Sequence, residues 1–241
     1  MNESTREVGV IGLGNMGGGM AATLVRAGWQ VSGHDSSDAA CARARAAGVR
    51  IVDDIATLCA QVDTLISVLP DSPQVETTLL GEAGVLHNAQ PGSLVIECST
   101  IEPAISDRCA TALAAASVQF IDAAMGRSPL EAASGRLMFM VGADDDALAR
   151  ARPLLDCLGD ELHHCGPVGS GIRTKLVLNL LSQSTCQLSA EVFALGLKMG
   201  IARDTLHAVL SGSLGANGFI TRYWPVKVLV GDTTPGFAIR L

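Results

Sequence analysis

The sequence predicts an α/β chain: a doubly wound, largely parallel sheet followed by a long helix and a small all-α region. Three observations predict it. Short β-rich runs alternate with alanine-rich helical runs over the first 165 residues, the signature of βαβ units. A glycine-rich turn, Gly12 to Gly17, directly follows the first apolar run. From about Gly169 no further strand pattern occurs, and residues 172–199 carry a helical pattern unbroken by proline.

Strands are expected at Val8–Ile11, Gln30–Gly33, Arg50–Val52, Thr64–Leu69, Ser93–Glu97 and Val118–Ile121. Helices are expected between them at Met16–Ala27, Ser37–Ala47, Pro73–Leu80 and Glu102–Ala116. Two further strands, Leu137–Val141 and Leu162–Cys165, flank a helix at Asp145–Leu158, whose start Asp144, Asp145 and Asp146 cap and charge. The long helix stops at Met199-Gly200; Asp204 opens another, and Tyr223–Val230 is expected to form a third. The last residues, from about Pro235, also read as helical. The domains are therefore expected at 1–165 and 166–241.

Of 241 residues, 48% are hydrophobic and 17% charged, which suits a compact domain with a large core. A net charge of −7 argues against nucleic-acid and anionic-membrane partners. The polar N-terminus lacks a signal-type apolar run, and Leu176–Leu197 is interrupted by Asn179, Gln183, Gln187 and Glu191. Seven cysteines, an odd number with no Cys-x-x-Cys, read as reduced thiols of a cytoplasmic protein.

Gly12-Leu13-Gly14-Asn15-Met16-Gly17 sits where a dinucleotide loop of Rossmann type belongs, between a strand and a helix. Its glycines admit a pyrophosphate to the backbone, and the helix N-terminus supplies N–H donors. The second strand ends at Asp35, a carboxylate able to accept both ribose hydroxyls and to repel a 2′-phosphate. NAD(H) is the expected cofactor. His34 reads as structural.

Lys175, Asn179 and Ser182 follow at i, i+4 and i+7 and share one face of the long helix. On this pattern alone, a snorkelling lysine and a catalytic one both remain open. His163-His164-Cys165 lies on a strand, where neighbours point to opposite faces, so no metal site is expected.

With these motifs the chain resembles the β-hydroxyacid dehydrogenases, the 3-hydroxyisobutyrate dehydrogenase-like family, over nearly its whole length. The resemblance rests on the glycine loop, Leu69-Pro70, Ser99-Thr100-Ile101-Glu102-Pro103, Asp122-Ala123-Ala124, Gly166-Pro167-Val168-Gly169-Ser170-Gly171, and Lys175 with Asn179. It implies that Lys175 is the catalytic acid/base, that Asn179 places the substrate, and that Leu69, Pro70 and Thr100 contact the nicotinamide half. Most of the family carries Ser-Gly-Gly where this chain has Gly126-Arg127-Ser128.

That loop, together with Gly171-Ile172-Arg173-Thr174-Lys175-Leu176, Ser182, Leu188-Ser189-Ala190-Glu191, Ser211-Gly212 and Trp224–Leu229, is similar to the 3-sulfolactaldehyde reductase branch. The resemblance implies NADH-dependent reduction of a small anionic aldehyde, with Arg127 and Ser182 on the sulfonate and the N–H groups of Gly126 to Ser128 assisting. A surface role for Arg127 stays open. The branch has two adjacent asparagines in the long helix, and here the first is Leu178.

Succinic semialdehyde and 3-hydroxyisobutyrate are the alternative substrates, and a catalytically silent NAD-binding subunit is the alternative of another class. Family members continue into a Lys-Asp-Leu segment that these 241 residues do not contain, so the all-α domain is expected to be truncated. A homodimer or homotetramer is expected.

Overall fold

The computed structural model describes residues 6–232 and 234. The helix expected from Pro235 lies outside the described residues. Eight strands form one sheet in the order β3-β2-β1-β4-β5-β6-β7-β8. They are β1 (Glu7–Ile11), β2 (Gln30–His34), β3 (Arg50–Ile51), β4 (Thr64–Ser67), β5 (Leu94–Glu97), β6 (Gln119–Gly126), β7 (Leu137–Gly142) and β8 (Gly159–Gly166). All pairings are parallel except β6 with β7.

The helices are α1 (Asn15–Arg26), α2 (Asp38–Ala46), α3 (Ile55–Cys59), α4 (Ser72–Leu80), α5 (Val85–Asn88) and α6 (Pro103–Ala115). There follow α7 (Pro129–Ser134), α8 (Asp145–Leu158), α9 (Ser170–Lys198) and α10 (Arg203–Ser211). The described chain falls into two compact units, with Lys175 closing the first stretch and Leu176 opening the second.

The first unit buries both faces of its sheet, because successive side chains of a strand point to opposite sides. Val8, Val10, Ile66, Ile96 and Ile121 join one cluster with Met20 and Leu24 of α1 and Leu154 of α8. Leu65, Val95 and Phe120 join the other, with Val75 of α4, Cys109 of α6 and Ile172 of α9. The α8 start is capped as expected, Asp144 accepting the Ala147 N–H at 2.8 Å. In the second unit a small core of Phe193, Leu206, Ile220 and Trp224 forms, with the Phe193 and Trp224 rings edge to face at 5.1 Å. No helix among the described residues is long and apolar enough to cross a membrane.

Three features depart from the sequence reading. β6 runs on to Gly126, five residues beyond the expected Ile121, because its last residues pair antiparallel with β7 after β5 has ended. The short helices α3, α5 and α7 were too brief to show a period. The helix expected at Tyr223–Val230 does not form: a π-helical turn spans Phe219–Tyr223 and a 3₁₀ turn Trp224–Val226. Pro225 has no N–H to continue a helical ladder, and Leu229 and Lys227 both donate back to the Trp224 carbonyl.

Candidate active site

The glycine loop has the geometry its sequence demands. Gly12 has φ +91°, and a Cβ on it would lie 2.1 Å from the Val68 carbonyl oxygen. A Cβ on Gly17 would lie 2.0 Å from the Gly12 oxygen, so α1 can approach the strand only without a side chain there. Gly14 differs: no atom lies within 4 Å of the position its Cβ would take, and it starts α1 with no side-chain cap. An open face beside uncapped helical N–H groups fits a pyrophosphate. Leu13 turns its side chain into the core, where it is 1% exposed, Met16 packs against that core, and Asn15 opens the helix.

Asp35 closes this loop. Its Oδ2 accepts the Leu13 N–H at 2.6 Å and its Oδ1 the Ser37 N–H at 2.7 Å. Half-buried at the end of β2, it sets negative charge beside the loop. A dinucleotide phosphate in the loop brings its adenosine ribose toward that strand end, where a 2′-phosphate would meet like charge. NADH is therefore expected to give a kcat/KM on the order of tenfold or more above NADPH, a difference of about 1.4 kcal/mol or more. Steady-state rates with both cofactors check it, and a preference for NADPH would refute the role of Asp35. His34 is held by Val52, Nδ1 lying 3.2 Å from its carbonyl oxygen.

A second layer of the site lies at the C-terminal ends of β4, β5 and β6. Ser67, Glu97 and Asp122 are register neighbours on these three strands, and all three are buried. Glu97 is 2% exposed; its Oε1 accepts the Ser99 N–H at 2.6 Å. Ser99 Oγ in turn accepts the Leu69 N–H at 2.8 Å, tying the turn after β4 to the turn after β5. Leu69, Pro70 and Thr100 thus stand on two loops braced through one serine and one buried carboxyl. Burial pushes the Glu97 carboxyl up to about 7, with the Asp122 charge adding to the rise.

Asp122 holds the start of α9. Its Oδ1 accepts the Gly169 N–H at 2.5 Å and its Oδ2 the Ile172 N–H at 2.6 Å. A carboxylate at a helix N-terminus satisfies donors that have no intrahelical partner. Burial nonetheless raises its carboxyl to about 6. The approach is too close for side chains: a Cβ on Gly171 would lie 2.4 Å from the Met140 oxygen and 2.8 Å from that of Asp122. Arg173 adds a fork to Asp107 of α6 at 3.0 and 2.6 Å.

Lys175 follows one turn after this anchorage. It is half-buried, burial lowers its amine from the ordinary lysine value, and no ion pair or hydrogen bond holds it among the described residues. Asn179 and Ser182 continue the same helical face, both partly buried.

The Gly126-Arg127-Ser128 segment is more committed than its sequence suggested. Gly126 ends β6 opposite Met138. Arg127 adopts φ +76°, a left-handed conformation that costs a non-glycine residue roughly 1–2 kcal/mol. Its guanidinium binds Asp160, Glu161 at 2.8 Å and the Arg136 carbonyl. Ser128 caps α7, and its N–H donates to Glu131 Oε2 at 3.0 Å, which leaves that N–H committed. His163 pairs with Glu161 and His164 with the Ala143 carbonyl, at 2.8 and 2.9 Å.

The Glu97–Asp122 pair was not singled out by sequence reasoning. A glutamate closing the apolar run Leu94-Val95-Ile96 immediately before Ser99-Thr100 is the one local signal that could have found it.

Residues 7–166 match the family described as the NAD binding domain of 6-phosphogluconate dehydrogenase. Residues 169–241 match the NAD-binding segment of NADP-dependent 3-hydroxyisobutyrate dehydrogenase. The chain is 33% identical over 234 residues to the 3-sulfolactaldehyde reductase of Escherichia coli, covering 97% of this chain and 78% of that one. It is 35% identical over 223 residues to human mitochondrial 3-hydroxyisobutyrate dehydrogenase, covering 92% and 66%. A Mycobacterium tuberculosis 3-hydroxyisobutyrate dehydrogenase solved with L-serine superposes with a TM-score of 0.86 at 30% identity, covering 97% and 81%. The chain belongs to the 3-hydroxyisobutyrate dehydrogenase-like family of β-hydroxyacid dehydrogenases, NAD-dependent oxidoreductases that act on CH–OH groups.

Proposed function

We propose that the chain reduces a small anionic aldehyde with NADH, and that its substrate is 3-sulfolactaldehyde, which yields 2,3-dihydroxypropane-1-sulfonate. The observation that carries the reading is Lys175, a half-buried amine without a partner among the described residues, one turn beyond a carboxylate-anchored helix start. Bound NADH supplies the hydride that reaches the carbonyl carbon. Lys175 Nζ donates a hydrogen bond to the carbonyl oxygen and transfers its proton as negative charge builds there, a contribution of roughly 10²–10⁴ in rate. Asn179 orients the same oxygen or its neighbour.

The anionic group distinguishes this substrate from the uncharged aldehydes. Its holders are Ser182 and the Gly126-Arg127-Ser128 loop, where Arg127 must divide its fork between the substrate and the carboxylates of Asp160 and Glu161. The enzyme is read as cytoplasmic and as a homodimer or homotetramer, in keeping with the exposed Val177, Leu180 and Leu188 of α9.

The test is a panel of aldehydes with NADH: sulfolactaldehyde, succinic semialdehyde and the aldehyde of 3-hydroxyisobutyrate. Sulfolactaldehyde is expected to give the highest kcat/KM. A higher value for either carboxylate would move the assignment to that substrate, and NADH binding without turnover of any would favour a catalytically silent subunit.

A further inference from the structure

The Gly126-Arg127-Ser128 loop holds a cation among acids. Arg127 Nη2 donates to Glu161 Oε2 at 2.8 Å, and its Nη1 donates to Asp160 and to the Arg136 carbonyl. A guanidinium has five N–H donors, and Arg127 Nε makes no hydrogen bond among the described residues, so part of the fork stays free. A third carboxylate, Glu131, accepts the Ser128 N–H at 3.0 Å and its hydroxyl. The other basic groups nearby have their own partners. Arg136 Nε donates to Ser134 Oγ at 3.2 Å, and His163 Nε2 lies 2.8 Å from Glu161 Oε1.

The loop keeps this cation against a backbone preference. Arg127 sits at φ +76°, where a glycine would be unstrained, and the family's usual Ser-Gly-Gly has a glycine at that place. Three acceptors fix the guanidinium, but two of them are charged. One guanidinium facing two carboxylates is more than neutralised, so an anion that reaches the free N–H groups is also repelled by Asp160 and Glu161.

We propose that Asp160 and Glu161 set how strongly the loop holds a substrate anion, acting through Arg127: they fix its fork and keep its affinity down. Their role rests on the reductase reading, in which Arg127 holds the anion. The anionic end takes no part in the reaction, and substrate and product carry the same charge. Tight holding would therefore bind both alike, lowering KM without raising kcat. A fork whose charge is offset recognises the anion by its N–H groups and still releases the anionic alcohol.

Glu161→Gln keeps an oxygen for Arg127 Nη2 and removes one charge from a partly exposed pair, on which folding depends little. In the full chain with NADH it is expected to lower the KM for sulfolactaldehyde roughly three- to tenfold, with kcat no higher. Glyceraldehyde, which carries a hydroxyl in place of the sulfonate, should keep its kcat/KM within twofold. Asp160→Asn should act in the same direction, and both gains should shrink in high salt. Glu76→Gln, which removes a carboxylate paired with Arg108 between α4 and α6, should leave both KM values unchanged.

Arg127→Gln tests the underlying reading. It should raise the KM for sulfolactaldehyde and spare glyceraldehyde, and the Glu161→Gln gain should vanish in that background. If Arg127→Gln weakens the anion but Glu161→Gln fails to lower its KM, the tuning pair is overturned and the anion assignment stands. Arg127→Gln without effect overturns both.

Calorimetry with 2,3-dihydroxypropane-1-sulfonate gives a readout that needs no turnover. Its Kd should tighten in Glu161→Gln by the same factor as the KM falls. An unchanged Kd, or no binding to either protein, overturns the pair. A chain that turns over neither aldehyde loses the reductase reading, and the pair is then judged on Kd alone.

Discussion

Replacing Lys175 by alanine is expected to lower kcat by roughly 10²–10⁴ while the Kd for NADH stays within about twofold. The amine stands alone: burial disfavours its charged form, and no carboxylate restores it. A general acid is best placed when its pKa is near working pH, and burial moves Lys175 in that direction. In the acid role proposed for Lys175, the protonated amine is the form that reduction consumes. The rate of aldehyde reduction should therefore fall as pH rises through a value below the ordinary lysine range, and the reverse oxidation should gain over the same interval. NADH binding, read by quenching of its fluorescence, separates lost chemistry from lost fold. Turnover retained in the alanine variant would remove Lys175 from the chemistry.

Much of the framework was legible in the sequence because its signals are local. The alternation of apolar runs placed the principal strands within a few residues, and the glycine loop, Asp35 and the helical face of Lys175 each follow from spacing along one stretch of chain. What escaped depends on pairing between distant stretches. Register between strands brings Glu97 beside Asp122 and Ser67, and no local pattern encodes it.

The partners of Arg127 lie 33 and 34 residues further on, so its sequence surroundings reveal a cation and nothing of the carboxylates that occupy it. The antiparallel turn of β7 likewise lengthens β6 and carries Gly126 to a strand end. Near the C-terminus, the apolar run from Tyr223 suggested a helix, but Pro225 within it divides the segment into tight turns.

Glutamine at position 97 is expected to make the protein more stable at pH 8 and to leave its stability near pH 4.5 almost unchanged. The Glu97 carboxyl is raised from 4.5 to about 7 in the folded chain. Below pH 4.5 the group is protonated in folded and unfolded chains alike, and the preference of the fold for the neutral form is fully present. As pH rises from 4.5 toward 7, the unfolded chain ionises first, and folding becomes less favourable by up to about 3 kcal/mol. Asp122, raised from 3.8 to about 6, loses stability in the same direction over a lower interval.

The cause is structural. Glu97 Oε2 lies buried with no hydrogen bond to it among the described residues, so an ionised carboxyl gives up water for little more than the Ser99 N–H and the nearby Ser67 hydroxyl, which only partly offset the burial. Glutamine keeps an oxygen for the Ser99 N–H and offers an amide donor toward Ser67, without a charge to bury. Denaturant unfolding of both proteins at pH 5 and pH 8 measures the difference. The wild-type chain should lose stability across that interval more steeply than Glu97→Gln. Equal slopes would mean that Glu97 is already ionised at pH 5. Because Ser99 and Leu69 hang from this carboxyl, the variant should also keep its affinity for NADH at pH 8, where the wild-type group carries a charge facing Asp122.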